Sequence, residues 1–286
     1  MTVAYSATAI VSADEPAFGA YAPNFAQRVM IALTRIPPFG RGIFRQRLAR
    51  AIRGLSPSGA IDIFFRGAAF RLRGASSNLI EDGILVRPGY NGREIDFLAG
   101  ALGPGSVFVD LGANIGLYTL PLASAAGRVI AIDANPAILK ALDFNTAASG
   151  LTNVVPVCAA VGEHTARARL EIRKDDLAIV SVEEDENGEV AMRTLADILA
   201  EAGVTRVDAL KADIEGYEDR AILPFLATCA PEMKPRRIVI EHLGRKEWPT
   251  DCFPVFEAHG YRLCGQTRGN SLFERDPGAD ASKRST

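Results

Sequence analysis

The sequence predicts an α/β protein built on a doubly wound, mostly parallel β-sheet. From residue 103 onward, short apolar segments alternate with segments of helical length. Continuous apolar strands are buried on both faces, which is typical of a parallel sheet that helices cover on either side. The first of these strands, at residues 107–111, runs directly into a loop that contains glycines. Open parallel sheets bind their ligands at this kind of position.

Four regions of the chain differ in composition and pattern. We predict a basic helical arm over residues 1–57, a β-hairpin and helix extension over residues 58–102, the α/β domain over residues 103–275 and a disordered polar tail over residues 276–286. In the extension, segments 60–66 and 69–73 alternate apolar and polar residues around Gly67, which predicts a hairpin. Segment 84–87 is predicted to add another strand.

The arm carries an unbalanced positive charge. Between Asn24 and Leu55 the sequence has no acid and has seven arginines, namely Arg28, Arg35, Arg41, Arg45, Arg47, Arg50 and Arg53. Apolar residues with loose helical spacing flank Pro37 and Pro38, which predicts two short helices with a break between them. One interpretation is peripheral contact with an anionic membrane, glycan or lipid. The other is an ordinary solvated helix face, and the sequence leaves both open.

Composition limits the class of protein. The 286 residues carry a formal net charge of −2, so no overall basic field favours a nucleic-acid partner. The four cysteines are far apart and form no C-x-x-C pair, which favours reduced, mostly buried thiols. The first residues lack the basic start of a signal peptide, and no apolar run reaches the roughly 20 residues of a membrane span. We therefore expect a cytoplasmic protein.

The loop after the first strand has an acid directly before its glycines. Its sequence is D-L-G-A-N-I-G, from Asp110 to Gly116. Gly112 and Gly116 permit positive φ and a close approach of the backbone to a ligand. The loop differs from the dinucleotide pattern G-x-G-x-x-G, and Asp110 would repel a pyrophosphate. A cofactor with a cationic centre and an ammonium group fits better, and S-adenosylmethionine has both.

Two further positions agree with a nucleoside cofactor. Asp133 ends the second strand, at the distance from Gly112 at which an acid accepts hydrogen bonds from ribose hydroxyls. Ala160 lies in the small-residue segment A-A-V-G after the third strand, where a flat adenine ring could approach the backbone. The alternative is structural, because Asp110 and Asp133 could each cap a helix.

Ionisable residues follow the fourth and fifth predicted strands, at residues 207–212 and 237–241. The strand period of two places Lys211 and Asp213 on one face, and Glu215 joins them if the chain stays extended. S-adenosylmethionine donates a methyl group, and transfer to an acceptor such as a hydroxyl would need alignment and a proton acceptor. We predict that Asp213 or His242 is the general base, and that Lys211 and Glu215 orient the base or the acceptor.

Two alternatives remain for these residues. Asp213, Glu241 and His242 could hold a divalent metal that lowers the pKa of the acceptor hydroxyl, although the expectation is an enzyme without a metal. The segment from Lys211 to Glu215 could also be an ion-pair network that only braces its strand.

The chain resembles the FkbM family of methyltransferases over roughly residues 103–274. The motifs that carry the resemblance are V-D-L-G-A-N-I-G-L-Y-T at 109–119, A-I-D-A-N-P at 131–136, A-A-V-G at 159–162, T-L-A-D-I-L at 194–199, L-K-A-D-I-E-G-Y-E at 210–218, I-E-H at 240–242, G-Y at 260–261 and N-S-L-F at 270–273. Many relatives have Glu-Pro where this chain has Asp133-Ala134, but the acid is retained. The basic arm lies outside the resemblance.

The resemblance implies a class I, Rossmann-like methyltransferase fold with seven strands, of which the last is antiparallel. It also implies S-adenosylmethionine as cofactor and O-methylation of a sugar or natural-product hydroxyl, on a small-molecule, glycan or lipid-linked acceptor. Within the motifs, the predicted cofactor contacts are Asp110, Gly112, Ala113, Asn114, Gly116, Tyr118, Asp133, Ala134 and Ala160.

Other functions stay open at this stage. An NAD-dependent oxidoreductase would use a similar fold, but the loop lacks its glycine pattern. A non-catalytic S-adenosylmethionine-binding protein would keep the cofactor loop, yet the acids Asp213 and Glu215 favour an enzyme. N-methylation is also possible.

Overall fold

The structure is a computed structural model that describes residues 15–74, 79–172 and 180–276. Nearly all of the tail that is predicted to be disordered lies outside the described residues, as do the first fourteen residues of the predicted arm.

The described part of the arm forms two helices, α1 (Phe25–Leu33) and α2 (Gly42–Gly54), on either side of the predicted break. Asn24 caps α1 by accepting from the backbone N–H of Gln27, and the Gln27 side chain accepts from Asn24 in return. Gln27 also donates from Nε2 to the carbonyl of Ile52, 2.9 Å away, which joins α1 to α2. The two helices are confirmed.

The extension begins with the predicted hairpin, β1 (Ile61–Phe65) and β2 (Ala68–Leu72), whose strands pair antiparallel. It continues with two helices, α3 (Leu79–Val86) and α4 (Gly92–Ala99). The strand predicted at 84–87 is wrong, because most of that segment belongs to α3. A short apolar run buried on all sides has no periodicity that distinguishes a strand from a helix.

Ion pairs brace the extension internally and join it to the arm. Arg71 and Asp62 form a two-pronged buried pair, with Nε to Oδ1 and Nη2 to Oδ2 distances of 2.8 Å. At the other end of the extension, Arg53 of α2 contacts Glu81 and Asp82 of α3 at 3.2 and 2.9 Å. These contacts therefore join α2 of the arm to α3 of the extension.

The rest of the chain alternates strands and helices. Its elements are β3 (Val107–Leu111), α5 (Thr119–Ala123), β4 (Arg128–Asp133), α6 (Pro136–Ala148), β5 (Val154–Cys158), β6 (Ala160–Gly162), β7 (Ala166–Ile172), β8 (Val180–Glu184), β9 (Val190–Thr194), α7 (Leu195–Glu201), β10 (Ala209–Ala212), α8 (Glu218–Thr228), β11 (Arg237–Glu241), α9 (Cys252–Ala258), β12 (Tyr261–Gln266) and β13 (Asn270–Arg275). Side chains cap several of these helices, for example Asn135 before α6 and Thr194 before α7.

Seven of the strands form the central sheet, in the order β12-β13-β11-β10-β3-β4-β5. Strand β13 runs antiparallel to both of its neighbours, and the other pairs are parallel. Successive residues of β3 face opposite sides, so Phe108 packs in one apolar cluster and Val109 in the other. The predicted fold class is confirmed, including the antiparallel last strand.

Strands β6 to β9 form a separate four-stranded sheet, in the order β6-β9-β7-β8. The four cysteines are free, but Cys158 and Cys264 are exposed, so the expectation of mostly buried thiols is wrong for these two. None of the helices in the described ranges has the length and apolar character that crossing a membrane requires.

Candidate active site

A cavity of about 560 Å³ lies at the carboxyl ends of β3, β4, β10 and β11. Parallel strands place their carboxyl ends at one edge of the sheet, so loops that are distant in sequence meet there. Seven of the residues predicted for the site line this cavity, namely Gly112, Asn114, Asp133, Ala134, Ala160, Asp213 and Glu215. Glu241, from the metal alternative, lines it as well.

The other predicted residues lie outside the cavity wall. They are Asp110, Ala113, Gly116, Tyr118, Lys211 and His242. Most of these side chains are buried beneath or beside the loops that form the wall. Their influence on the cavity is therefore indirect, through the backbone that they hold.

The backbone N–H groups of the glycine loop donate hydrogen bonds to acceptors within the protein. Gly112 and Ala113 both donate to the carbonyl of Ile132, at 2.9 and 3.0 Å, and Gly116 donates to Ala113 at 3.0 Å. Asn114 donates to Oδ2 of Asp133, and Ile115 donates to Oδ1 of Asn114. A dinucleotide-binding loop needs such N–H groups for its pyrophosphate. This loop instead ties β3 to β4, which disfavours the oxidoreductase alternative.

Gly112 lies at a close backbone crossing. Its φ is +74°, and a Cβ atom there would lie 1.9 Å from the carbonyl oxygen of Asp213. A side chain is therefore excluded by both the conformation and the space. This crossing brings the glycine loop against the loop that follows β10, which places the predicted cofactor and catalytic residues side by side.

Asp133 has the position predicted for a ribose contact, at the end of β4 and in the cavity wall. Its Oδ2 accepts from the N–H of Asn114 and its Oδ1 from the N–H of Asn135, each at 2.9 Å. Burial raises the pKa of Asp133 despite these two hydrogen bonds. A carboxylate has about four acceptor positions, so each oxygen keeps capacity for a ligand hydroxyl.

Lys211 is a buried cation under the floor of the cavity. Its Nζ donates to the carbonyl oxygens of Leu111 and Gly112, at 3.2 and 2.7 Å. It also lies 3.5 Å from Oδ1 of Asp110 and 3.8 Å from Oδ2 of Asp213. Burial alone would lower the pKa of Lys211, but the charges of Asp213 and Asp110 outweigh it and raise the pKa.

Asp110 is fully buried rather than aimed at a ligand. Its Oδ2 accepts from the Thr119 hydroxyl at 2.6 Å, while Oδ1 faces Lys211. Burial raises the pKa of Asp110, against the opposing effect of Lys211. Nearby, the hydroxyl of Tyr118 accepts from Nδ2 of Asn91 at 2.8 Å, so this side chain is also engaged within the protein.

Two carboxyl groups of the cavity wall come from neighbouring strands. Asp213 directly follows β10, and Glu241 ends β11. Burial raises the pKa of Glu241 to about 9, with further increases from the charges of Asp213 and Glu215. The raised pKa favours the protonated form of Glu241, which can donate a hydrogen bond.

His242 faces away from the cavity, toward β13. Its Nδ1 lies 2.9 Å from Oγ of Ser271, and that oxygen also accepts from Nε2 of Gln266 at 3.0 Å. The set of Asp213, Glu241 and His242 is thus not assembled around one point. In the parts of the chain that the structure describes, no group of three or more His, Cys, Asp or Glu residues is placed to hold a metal ion.

Glu218 is an important residue that the sequence did not single out. It is buried, and its Oε1 accepts from the N–H groups of Ile214 and Gly216, at 2.8 and 3.3 Å. Its Oε2 accepts from Nε1 of Trp248 at 2.8 Å. Between these anchors, Glu215 adopts a φ of +57°. The loop leaves the extended path assumed from the strand period, yet Glu215 still reaches the cavity wall.

The extension supplies part of the cavity wall, through Leu79, Ile80 and Tyr90. The ring of Tyr90 packs directly on Gly83, where a Cβ atom would lie 2.2 Å from the ring. Burial raises the pKa of Tyr90, so its hydroxyl is neutral at physiological pH. The small sheet contributes Val182. These contacts join segments that are far apart in sequence, and no sequence motif predicts them.

The cavity wall is acidic. Its charged side chains among the described residues are Asp133, Asp213, Glu215, Glu241 and Glu247, and none of its described residues is Lys, Arg or His. Such a wall attracts a cationic ligand and repels phosphate groups. The apolar remainder includes Leu79 and Leu243 at the surface.

Several solved structures are similar to parts of the chain, whereas no curated protein matches it significantly. An rRNA methylase from Streptococcus thermophilus is 16% identical with a TM-score of 0.39, over 66% of this chain and 96% of its own. TYW2 from M. jannaschii, in complex with AdoMet, is 21% identical with a TM-score of 0.39, over 77% and 89%. A precorrin-6y C5,15-methyltransferase from Geobacter metallireducens is 14% identical with a TM-score of 0.41, over 65% and 86%.

A sequence profile of the methyltransferase FkbM domain matches residues 110–263, more than half of the chain. The match begins at Asp110 and extends into β12, so it contains the glycine loop and the ends of β4, β10 and β11. An acidic cavity and a loop without N–H groups to spare for a pyrophosphate agree with the cofactor of that family. The chain belongs to the FkbM family and is an S-adenosylmethionine-dependent methyltransferase.

Proposed function

We propose that this enzyme methylates an uncharged hydroxyl group of a small molecule, a glycan or a lipid-linked glycan. The observation that carries the proposal is the pairing of Asp213 with Glu241 in a cavity whose described wall has no basic side chain. A carboxylate can accept a proton, and a carboxyl group whose pKa is raised, as that of Glu241 is, can donate a hydrogen bond. A hydroxyl acceptor needs both a proton acceptor and a hydrogen-bond donor near its oxygen.

The residues present fit S-adenosylmethionine. Asp133 would accept hydrogen bonds from the ribose hydroxyls, and Ala134 and Ala160 would leave space for the adenine ring. Gly112 and Asn114 would form the part of the wall nearest to the methionine portion. The acids of the wall suit a sulfonium and an ammonium group. Asp110 and Lys211 would act as positioning residues, since their side chains hold the loop from below.

Bound S-adenosylmethionine supplies an electrophilic methyl group on a sulfonium. In the proposed reaction the acceptor oxygen forms the new bond to the methyl carbon, the bond from carbon to sulfur breaks, and its electron pair stays on sulfur. Asp213 takes the hydroxyl proton, and protonated Glu241 donates a hydrogen bond that orients the acceptor. Lys211, 3.8 Å from Oδ2 of Asp213, holds that carboxylate in place.

The charge of the cavity wall limits the chemical class of the acceptor. A phosphorylated sugar, a nucleotide or a nucleic acid would bring negative charge against Asp213, Glu215 and Glu247 without a cation in the described wall to bind it. A neutral polyol would use the same carboxyl groups as hydrogen-bond partners. Apolar groups such as Leu79 and Leu243 would contact the less polar faces of the acceptor.

The test is methyl transfer from labelled S-adenosylmethionine to paired acceptors. Neutral glycans and glycolipids should be labelled, while their phosphorylated counterparts and RNA should be labelled at least about tenfold less. NMR of the product should show a methoxy group. Faster labelling of the phosphorylated partner would contradict the acceptor class, an N-methyl product would contradict O-methylation, and cofactor binding without transfer to any acceptor would favour a non-catalytic protein.

A further inference from the structure

The arm presents large apolar side chains to solvent. In the described residues, seven of the eleven exposed large apolar side chains lie between residues 25 and 55, namely Phe25, Val29, Ile36, Phe39, Ile43, Phe44 and Leu55. Scattered exposed apolar residues are normal on a protein surface, but this density in one short segment is not. The arm therefore has a surface suited to an apolar partner.

The exposed apolar groups of α1 lie on one helix face. Phe25, Val29 and Ala32 have helical spacing, and Arg28 lies between them on the same face. Phe25 is 84% exposed and Val29 is 44% exposed, while the opposite side of the helix carries the buried Gln27. The side chains of Phe25 and Val29 are thus open to solvent.

The turn between α1 and α2 forms an apolar tip. Ile36, Phe39, Ile43 and Phe44 are exposed there, and the rings of Phe39 and Phe44 contact each other at a centroid distance of 6.3 Å. We call this group of four residues the apolar tip. A side chain that is held against its neighbour loses little further freedom when it inserts into another phase.

Arginines surround the apolar tip without acids near them in sequence. Arg35 and Arg41 flank it, and Arg47 and Arg50 follow on the exposed side of α2. Among the seven arginines, Arg53 forms ion pairs with Glu81 and Asp82. The segment from Asn24 to Leu55 contains no acid, so its positive charge is not balanced locally.

We propose that this surface of α1, the apolar tip and α2 docks the protein on an anionic lipid bilayer. The arginines would lie at the level of the headgroups, and the apolar tip would enter the boundary with the acyl chains. RNA would satisfy the arginines but leave the apolar groups exposed. A second copy docked arm to arm would bring like charges together. A lipid surface satisfies both features at once.

Docking would place a membrane next to an element of the active site. Arg53 of α2 is paired with Glu81 and Asp82 of α3, and α3 also supplies Leu79 and Ile80 to the cavity wall. The proposal goes beyond the methyltransferase activity and does not depend on the identity of the acceptor. It concerns where the enzyme resides, and its test needs no acceptor.

The experiment is sedimentation of the full chain with vesicles of phosphatidylcholine, with or without phosphatidylglycerol. We expect binding to the anionic vesicles and its loss in high salt. Each arginine near an anionic surface contributes roughly fivefold to partitioning. The triple variant Arg35→Gln/Arg41→Gln/Arg47→Gln should therefore bind about 100-fold more weakly. The variant Phe39→Ser/Ile43→Ser should bind anionic vesicles at least about tenfold more weakly.

Control variants carry the same kinds of change outside the arm. Lys140→Gln/Arg262→Gln/Arg268→Gln removes three exposed cations outside the arm, and Leu263→Ser removes one exposed apolar side chain. Both should bind vesicles as the unmodified chain does. Thermal unfolding and S-adenosylmethionine binding should be unchanged in every variant, which excludes misfolding as the cause of a lost interaction.

Four results would overturn the proposal. They are failure of the unmodified chain to bind anionic vesicles, equal losses in the arm and control variants, displacement from vesicles by RNA with tighter RNA binding, and self-association in solution that the arm variants abolish. If the triple variant does not fold, the apolar variant alone decides, because its substitutions remove no charge.

Discussion

Lys211 and Asp110 face each other across the β3–β10 strand pair, with Nζ 3.5 Å from Oδ1. The two side chains are 3% and 0% exposed, and neither reaches the cavity. The same ammonium group donates to the carbonyl of Gly112 at 2.7 Å. One buried cation therefore fixes the acid before the glycines, the glycine loop and, on its other side, Asp213.

The first prediction concerns this pair. Replacing Lys211 by methionine leaves Asp110 buried without its cation, so we expect Lys211→Met to lower the free energy of unfolding by about 3–5 kcal/mol. The double variant Lys211→Met/Asp110→Asn should recover part of that loss, because the remaining side chains are both uncharged. Urea unfolding measures both quantities. Additive losses in the double variant would show that the two side chains do not interact.

The second prediction separates backbone strain from steric collision in the glycine loop. Gly112 and Gly150 both have positive φ, but a Cβ at Gly112 meets the carbonyl of Asp213 at 1.9 Å, whereas a Cβ at Gly150 meets nothing within 4 Å. Gly150→Ala should cost about 1–2 kcal/mol from φ alone. Gly112→Ala should cost about 2–5 kcal/mol, since the collision adds to the strain. Equal losses in urea unfolding would argue against the close crossing.

The third prediction concerns the cofactor loop. The carboxylate of Asp133 accepts hydrogen bonds from the backbone N–H groups of Asn114 and Asn135. Asp133→Asn removes its negative charge and leaves a single acceptor oxygen. Hydrogen bonds to a charged group are worth roughly 1.5–3 kcal/mol, so the affinity for S-adenosylmethionine should fall about 10- to 100-fold in isothermal titration calorimetry. Asp143→Asn, on α6 and outside the cavity wall, is the control and should bind normally. Unchanged affinity in Asp133→Asn would remove this residue from the cofactor site.

The sequence predicts the architecture and the general place of the site because both follow from local patterns. The apolar strand at 107–111, its glycine loop and the acid Asp133 are each readable from a few consecutive residues. The direction of the Asp110 side chain is not, because it depends on the register that sets Asp110 opposite Lys211. A register shift of one residue would reverse the faces of the strand.

Long-range packing determines the parts of the cavity wall that the sequence does not predict. Tyr90 reaches the cavity through its contact with Gly83, and Glu218 holds the loop after β10 with the help of Trp248, thirty residues further along the chain. Neither contact leaves a periodic or motif-like signal. The strand prediction at 84–87 fails for a related reason, since the consecutive buried residues 84–86 show no helical period.

The fourth prediction is a pH dependence of stability. The pKa of Glu241 is about 9 in the folded protein and near 4.5 in the unfolded chain. Between these values the folded protein holds a proton that the unfolded chain has released, so the contribution of Glu241 to stability falls as the pH rises through this window. Glu241→Gln cannot titrate. The stability of the unmodified protein relative to this variant should therefore fall from the acid end of the window to the alkaline end.

Urea unfolding at several pH values within the window tests this expectation. The control is Glu257→Gln, which removes an exposed carboxylate on α9 and should leave the pH profile unchanged. Parallel profiles for Glu241→Gln and the unmodified protein would mean that Glu241 is ionised in the folded state. It could not then donate the hydrogen bond assigned to it in the proposed reaction.

The last prediction distinguishes the two candidate bases. Asp213 lies in the cavity wall, whereas the side chain of His242 contacts Ser271 and does not line the cavity. Asp213→Asn keeps the size of the side chain but removes its ability to take the hydroxyl proton, so kcat should fall about 10²- to 10⁴-fold. His242→Ala should change kcat by less than about threefold, because the imidazole contacts Ser271 and is not among the residues that line the cavity.

Calorimetry with S-adenosylmethionine must accompany the kinetics, since only a variant that still binds the cofactor reports on proton transfer. A large loss in His242→Ala with normal cofactor binding would mean that the histidine turns into the cavity during turnover, and it would replace Asp213 as the base. Full turnover in both variants would remove base catalysis by either residue. In that case the rate would have to come from the alignment of the acceptor oxygen with the methyl group, which Glu241 and Glu215 would then provide.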